Sequence, residues 1–297
     1  TLDGRIYAMP WDSGPVAVFY RRDIFEAAGV DPSTIKTWED YYLVGQTIFE
    51  ATGVPLWQQA TALNDARLFE TLMWQRGVGY VDADGNVVLD QTSETQEILE
   101  FMGRIWDTGL AVDSQPWTEG WYAEMNEGQV ATVPGAVWMG TFLKSFIAPD
   151  TGGMWGVFPL PTWEGSARTA NDGGSSLAIL ETSEQKDAAW AYIEFHLGRP
   201  EQQVEMYRAS DIFPSLETAY DDPFFSEPDP YFDGQEVRSL FAEIVTEIPS
   251  AFVYSANYQE MNSLMQTEIQ KFATGQQSAE EALANAASAI RERTGRS

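Results

Sequence analysis

The sequence predicts an α/β protein in which helices cover both faces of a sheet. Strand-like runs alternate with amphipathic helical segments along most of the chain, no internal repeat is visible, and no glycine-rich nucleotide loop follows a strand. With 297 residues, of which 44% are hydrophobic and 13% aromatic, the chain can bury a large core. This composition excludes a disordered protein.

The elements follow from apolar spacing and from capping residues. Thr37 with Asp40 approximates a capping box, Gly29 ends an early helix, and Ser278 caps the last one after a break at Gly275. Strands are predicted over residues 6–9, 16–20, 53–57, 129–133, 154–160 and 175–180. Helices are predicted over residues 22–28, 63–76, 92–107, 119–126, 185–197 and 263–293, with further helices beginning near residues 37 and 201.

Residues 80–89 predict a hairpin, because Asp84-Gly85 between alternating apolar residues favours a turn with positive φ. The acidic residues of this turn also invite a calcium hypothesis. An EF-hand loop beginning at Asp82 would need glycine where Val87 stands, so we favour the turn. No other acidic cluster has ligand spacing, and no metal is expected.

The chain is strongly acidic, with 45 acidic against 17 basic residues and a net charge of −28. Such a charge repels phosphate backbones and anionic lipids, so nucleic acid is not an expected partner. There is no cysteine, which excludes disulfides and thiol chemistry. No apolar run is long enough for a transmembrane helix, and we expect any export signal to have been removed or to lie upstream.

Catalytic motifs are weak. There is no G-x-S-x-G elbow, and the one histidine, His196, lies in the last turn of a predicted helix, where it suits the helix dipole. Gly173-Gly174-Ser175-Ser176 is not followed by a P-loop lysine, so no nucleotide cofactor is expected. The hypothesis that two carboxylates catalyse glycoside hydrolysis stays open. With 45 acidic residues, coincidental pairs are easy to find, and nothing in the sequence singles out two of them.

Tryptophan is abundant, with 11 residues, and several of them lie where predicted strands or helices stop. An indole face packs on the apolar face of a pyranose, and nearby carboxylates or amides bind its hydroxyls. This composition makes the loop-end group candidates for carbohydrate binding: Trp11, Trp57, Trp117 and Trp138. The tryptophans on helix faces are expected in the core: Trp38, Trp74, Trp106 and Trp190.

Five motifs occur in a fixed order, within residues 3–11, 128–138, 158–179, 188–195 and 275–283. Together they resemble the extracellular solute-binding proteins of ABC importers, in the sugar-binding branch that includes maltose-binding protein. The resemblance implies a stacking role for Trp138, although this residue stands one position later than its counterpart. It implies further ligand contacts at Asp12, Asn64, Asp65, Asn171, Asp172, Gly173, Gly174 and Tyr258. Four aromatic candidates have no firm counterpart in the family: Trp11, Trp57, Trp117 and Trp121.

The resemblance also implies a two-lobed periplasmic-binding-protein-like fold with a ligand cleft and a hinge. Residues 1–12 and 157–212 would form a remnant of lobe one, and residues 13–156 and 213–297 would form lobe two. The family's first β-α-β-α unit is not found in the chain, so we expect an incomplete first lobe with exposed sheet edge and apolar surface. Weak sugar binding or self-association would follow from this.

The function that the resemblance implies is the substrate-binding component of an ABC transporter. It would capture a sugar, most simply an oligosaccharide, by hinge closure and deliver it to a permease and its ATPase subunits, without catalysis or cofactor. The full-length protein would be a monomer in the periplasm or a lipoprotein at the cell surface. Two alternatives stay open: a binding protein for glycerol phosphate, a polyamine or a peptide, and a glycoside hydrolase.

Overall fold

The structure, a computed structural model, describes residues 5–60, 66–250 and 254–297. The strands of this part are β1 (Met9–Asp12), β2 (Val16–Arg21), β3 (Trp57–Gln58), β4 (Ala111–Val112), β5 (Thr132–Ala136), β6 (Trp155–Pro159) and β7 (Ser175–Leu177). The α-helices are α1 (Arg22–Ala27), α2 (Trp38–Thr52), α3 (Arg67–Gln75), α4 (Ser93–Asp107), α5 (Glu119–Asn126), α6 (Trp138–Phe142), α7 (Lys186–Leu197), α8 (Pro200–Ser210), α9 (Val237–Ile244), α10 (Tyr258–Ala273) and α11 (Ala279–Thr294).

Strand β2 is the centre of a three-stranded antiparallel sheet in the order β5-β2-β6. Every residue of β2 is buried, which explains its nearly continuous apolar sequence. The Gln235 side chain pairs with the edge of β6 that faces away from β2. Its Nε2 donates to the Val157 carbonyl at 2.6 Å, and its Oε1 accepts from the Val157 amide at 3.0 Å. This amide therefore substitutes for a further strand.

The segments that contain the first and the third of the ordered motifs, within residues 3–11 and 158–179, lie side by side. Strands β1 and β7 pair antiparallel, with Met9 opposite Leu177 and an irregularity between Pro10 and Asp12. Next to this pair, Gly14 donates to Asn171 Oδ1 at 3.1 Å, and the Asp172 amide donates to the Gly14 carbonyl at 2.8 Å. A Cβ on Gly14 would lie 2.2 Å from the Asp172 carbonyl oxygen, so only glycine allows this approach.

An aromatic core packs beneath α2 and α4. The Trp38 ring contacts Trp57, Phe101 and Trp163 at centroid distances of 6.4, 5.4 and 6.1 Å. Buried Gln75 accepts a hydrogen bond from Trp38 Nε1 at 2.9 Å. Trp57 is therefore a core residue, and its interpretation as a carbohydrate-binding candidate is wrong.

Most predicted elements are present, but helices α6 and α9 were not predicted and several strands have other bounds. The strand predicted over residues 6–9 begins only at Met9, and the one predicted over residues 129–133 runs from Thr132 to Ala136. In the second case the Ala131 and Thr132 amides donate to the carbonyls of Pro55 and Leu56, so a neighbouring loop sets where pairing with β2 begins. The predicted hairpin at residues 80–89 is reduced to one bridge between Val81 and Val87.

Large exposed apolar side chains occur on segments assigned to both lobes, and those assigned to lobe two include Leu43, Phe49 and Phe146. On the segments assigned to lobe one, the exposed large apolar side chains lie before β1, after β7 and on α7: Ile6, Tyr7, Leu180, Trp190, Tyr192 and Phe195. Trp190 is thus wrongly predicted as a core residue: α7 buries Ile193 and Leu197 instead, and Trp190 is 48% exposed.

The capping box at Ser278 gives a test of local stability. Ser278 Oγ accepts from the Glu281 amide at 3.2 Å, and Glu281 Oε2 accepts from the Ser278 amide at 2.8 Å. We expect Ser278→Ala to lower the free energy of unfolding by about 1 kcal/mol, because the Glu281 amide in the first turn of α11 loses its acceptor. Urea denaturation measures this. Ser278→Thr is the control and should stay near the wild type; equal losses in both variants would contradict the capping role.

Candidate functional site

A cavity of about 410 Å³ lies between α3, the loop before α5, the segment following residue 170 and α10. Its aromatic lining consists of Trp74, Trp117, Tyr254 and Tyr258. Its polar lining consists of Arg67, Glu70, Thr71, Gln115, Asn171, Asp172, Asn262 and Gln266. Flat apolar rings thus face carboxylates and amides across one open space, which is the composition that suits a polyhydroxylated ligand with apolar faces.

Glu70 is the centre of a hydrogen-bond network in the cavity wall. Its Oε1 accepts from the Tyr80 hydroxyl at 2.7 Å and from Asn262 Nδ2 at 2.6 Å. Its Oε2 accepts from the Tyr258 hydroxyl at 2.7 Å, and Gln266 donates to Asn262 Oδ1 at 2.6 Å. Because Tyr258 gives its proton to Glu70, its oxygen can offer only lone pairs to a ligand hydroxyl.

Burial and the Glu70 carboxylate raise the pKa of the tyrosines around this network. Burial raises the pKa of Tyr80 well above its ordinary value, and the Glu70 carboxylate raises it further. The same two causes, burial first, raise the pKa of Tyr258 and of Tyr254. These phenols therefore stay protonated throughout the neutral range, and those of Tyr80 and Tyr258 donate to the carboxylate.

The raised tyrosine pKa values give an expected pH dependence. A group whose pKa is higher in the folded than in the unfolded state contributes stability that is present below the unfolded pKa and is lost as pH rises through the folded one. We therefore expect the free energy of unfolding to fall as pH rises above about 10. Urea denaturation at two alkaline pH values measures it. Tyr258→Phe should show a smaller fall, and a stability independent of alkaline pH would contradict the cause.

Trp117 and Trp138 form an aromatic pair beside the cavity, with ring centroids 5.8 Å apart. Trp117 is 42% exposed and has a φ of 66°, a conformation that a bulky residue adopts only under constraint. Trp138 Nε1 donates to the Asp172 carbonyl at 2.9 Å, which fixes its ring. The Arg67 guanidinium lies 5.5 Å from the Trp117 ring and 5.6 Å from the Trp138 ring.

The predicted site residues fall into three groups. Trp117, Asp172 and Tyr258 line the main cavity, and Trp138 lies on a smaller cavity adjoining it. Four predicted residues line neither cavity: Trp11, Asp12, Gly173 and Gly174. Asn64 and Asp65 lie outside the described residues. Whether any of these contacts a ligand stays a prediction.

Several lining residues were missed by sequence reasoning. Trp74, predicted in the core, lines the cavity. Glu70 and Arg67, about one and two helical turns before it on α3, line it as well. On α10, Tyr258, Asn262 and Gln266 recur every four residues. This spacing puts their side chains on one helix face, so a polar stripe on an otherwise amphipathic helix was the available signal.

The sequence profile of the bacterial extracellular solute-binding protein family matches residues 1–203 of the chain. The chain belongs to this family. An arabinooligosaccharide-binding protein of Halalkalibacterium halodurans is 28% identical over 256 residues, which are 84% of this chain and 56% of that protein. A lactose-binding protein of Rhizobium radiobacter is 29% identical over 84% of this chain and 59% of its own length. This family member thus spans less than two thirds of these curated relatives.

Among solved structures, the family member is similar to an ABC transporter associated binding protein of B. animalis subsp. lactis in complex with β-1,6-galactobiose. The TM-score is 0.77 and the identity 27%, over 98% of this chain and 74% of that one. The predicted fold class is confirmed: the chain has the α/β fold of the two-lobed periplasmic binding proteins. No helix among residues 5–60, 66–250 and 254–297 is long and apolar enough to cross a membrane.

Proposed function

We propose that this solute-binding protein captures a neutral oligosaccharide in the 410 Å³ cavity and delivers it to an ABC permease outside the cytoplasm, without chemical conversion. The observation that carries the proposal is the juxtaposition of Trp117, Tyr254 and Tyr258 with Glu70 and Asp172 in one cavity. Rings supply stacking surface for sugar C–H faces, while the carboxylates and amides supply oriented partners for hydroxyls.

The relatives support a saccharide over other solutes. Their names refer to arabinooligosaccharides and lactose, and the similar solved structure contains a galactobiose. These ligands are uncharged and have two or more rings. A cavity whose wall is rich in hydrogen-bond acceptors suits them, because each sugar hydroxyl can donate to one.

The position of the cavity supports capture by hinge closure. In the division predicted from the sequence, Asn171 and Asp172 belong to lobe one, whereas Glu70, Trp117 and Tyr258 belong to lobe two. A ligand in the cavity would therefore touch both lobes. Because those contacts exist together only in the closed arrangement, the ligand would shift the equilibrium towards it.

A cationic solute such as a polyamine is the second candidate, since the chain carries a net charge of −28. The cavity argues against it. Glu70 already accepts hydrogen bonds from three side chains, and Asp172 forms an ion pair with Arg67, whose cationic group faces the same space. A polyamine would have to compete with these donors.

A ligand screen by thermal shift and calorimetry tests the proposal. The panel is arabinose, arabinotriose, galactose, lactose, β-1,6-galactobiose, spermidine and glycerol phosphate, applied to the chain and to the complete product of its gene. A ligand that binds the native state raises the melting temperature by mass action. We expect a saturable shift with one or more of the oligosaccharides and their recovery intact. Shifts only with spermidine or glycerol phosphate, or hydrolysis of the saccharide, would refute the proposal.

A further inference from the structure

Two segments that supply residues to the main cavity meet at Arg168. The Asp172 segment consists of residues 160–172, and the Tyr254 segment runs from residue 243 to residue 258, with residues 243–250 and 254–258 described. Arg168 itself lines neither the main cavity nor the smaller one. Its contacts therefore act on the main cavity through the position of these two segments.

The Arg168 guanidinium holds two carboxylates of the Tyr254 segment. Its Nε donates to the two carboxylate oxygens of Glu247 at 3.0 and 3.2 Å. One terminal nitrogen donates to Glu247 Oε1 and, at 2.7 Å, to Glu243 Oε1. The Arg168 backbone amide also donates to Glu247 Oε2, at 3.2 Å. These hydrogen bonds from Arg168 hold the pKa of Glu247 below its ordinary value. Main chain and side chain thus bind the same carboxylate, which fixes its direction as well as its distance.

The two carboxylates lie on a support that is fixed in the core. Glu243 belongs to α9, and Glu247 belongs to the short 3-10 turn that follows it. Helix α9 buries Phe241, whose ring contacts that of Phe19 on β2 at a centroid distance of 6.1 Å. Arg168 is therefore tied to the central sheet through α9.

Trp74 of α3 holds the Tyr254 segment next to the Arg168 contacts. Trp74 Nε1 donates to the Pro249 carbonyl at 2.6 Å, and the Trp74 ring contacts the Tyr254 ring at 5.7 Å. Pro249 follows Glu247 by two positions, so a shift of Glu247 would change this hydrogen bond. Because Trp74 and Tyr254 both line the main cavity, the shift would also change the cavity wall.

The Asp172 segment is attached to lobe two up to Arg168, although the division predicted from the sequence assigns it to lobe one. Buried Gln75 of α3 donates through Nε2 to the carbonyls of Pro161 and Ala167, at 2.7 and 2.8 Å. Asp172 follows Arg168 by four positions and lines the main cavity. The direction in which Asp172 enters the cavity therefore depends on this attachment.

We propose that Arg168 is a positioning residue for saccharide binding. By joining the two segments, it sets the distance at which Asp172 and Tyr254 face a ligand, and it touches no ligand itself. A cavity wall that is already ordered binds more tightly, because none of the binding free energy is used to order it. This inference rests on the proposed function and adds to it a residue outside the cavity lining.

The test compares Arg168→Ala with Arg104→Ala. Arg104 is the matched control: it donates to both oxygens of Glu39 at 2.8 and 3.0 Å, its side chain is 46% exposed against 42% for Arg168, and it lines neither cavity. Calorimetry with lactose, β-1,6-galactobiose and arabinotriose measures the affinity at a temperature at which all variants are folded. Arg168→Ala should lower the affinity about tenfold, and Arg104→Ala should change it less than about twofold.

A spectroscopic readout separates positioning from a general loss of stability. In protein labelled with fluorinated tryptophan, the fluorine resonance of Trp74 is assigned by its absence in Trp74→Phe. Arg168→Ala should shift this resonance, since the hydrogen bond from Trp74 to the Pro249 carbonyl is disturbed, whereas Arg104→Ala should leave it in place.

Two further variants keep the test decisive. Glu247→Gln removes the charge that Arg168 binds and should lower the affinity by a smaller factor. Its combination with Arg168→Ala should add less than about twofold to the loss, because both variants break one contact. Arg168→Lys keeps the charge without the planar fork and should recover part of the affinity.

The outcomes distinguish this inference from the proposed function. An unchanged affinity in Arg168→Ala, equal losses in Arg168→Ala and Arg104→Ala, or an unshifted Trp74 resonance in Arg168→Ala would overturn the positioning role while leaving the proposed function standing. Absence of saccharide binding by the wild type, both as this chain and as the complete product of its gene, would instead refute the proposed function.

Discussion

Trp117→Ala is expected to weaken oligosaccharide binding about 30-fold or more, which corresponds to about 2 kcal/mol. Trp117 lines both cavities, contacts Trp121 and Trp138, and is held at a φ of 66°. Its truncation removes the stacking surface at the point where the two cavities meet. Calorimetry with the ligand identified by the screen measures the change.

Trp190→Ala is the matched control for this prediction. Trp190 is also partly exposed but lies on α7 and lines neither cavity, so its removal should leave the affinity unchanged. Since Trp117 is 42% exposed, its variant should also keep the wild-type melting temperature without ligand. Equal affinities for Trp117→Ala and the wild type would place the ligand elsewhere.

Glu70→Ala is expected to lower the free energy of unfolding by about 3 kcal/mol, the largest loss of stability that we predict for a single cavity residue. The substitution leaves the hydroxyls of Tyr80 and Tyr258 and the amide of Asn262 without their acceptor. Tyr80 is almost completely buried, so water cannot replace the carboxylate there. The lost contacts also join α3 to α10, so the variant should bind saccharides less tightly. Urea denaturation and calorimetry measure the two effects.

Glu97→Ala provides the comparison, because its ion pair with Arg76 lies at the surface and should contribute at most about 1 kcal/mol. A loss in Glu70→Ala no greater than that of Glu97→Ala would mean that the network adds little to stability. Retained ligand affinity in a destabilised Glu70→Ala would show that the carboxylate holds the cavity wall together without orienting groups that contact the ligand.

Local sequence signals predicted those features that depend on neighbouring residues. The capping box at Thr37, the cap at Ser278, strand β2 and the ends of α5 were all predicted and are confirmed, because caps and apolar runs act over a few residues. The ordered motifs likewise identified the family, which the profile match confirms. A loop-end position singled out Trp117, which the structure places at the main cavity.

Only the tertiary structure decided which side chains share a cavity. Trp57 and Trp117 were both predicted at loop ends. Trp57 is fully buried and contacts Trp38 and Phe101. Trp117 is partly exposed to solvent and lies next to the Arg67 guanidinium. Glu70 and Tyr258 are separated by 188 positions, so no local pattern relates them. A sequence alone determines helix faces and strand runs through short-range sterics and hydrogen bonding, whereas the packing of α3 against α10 depends on long-range burial that sequence periodicity does not encode.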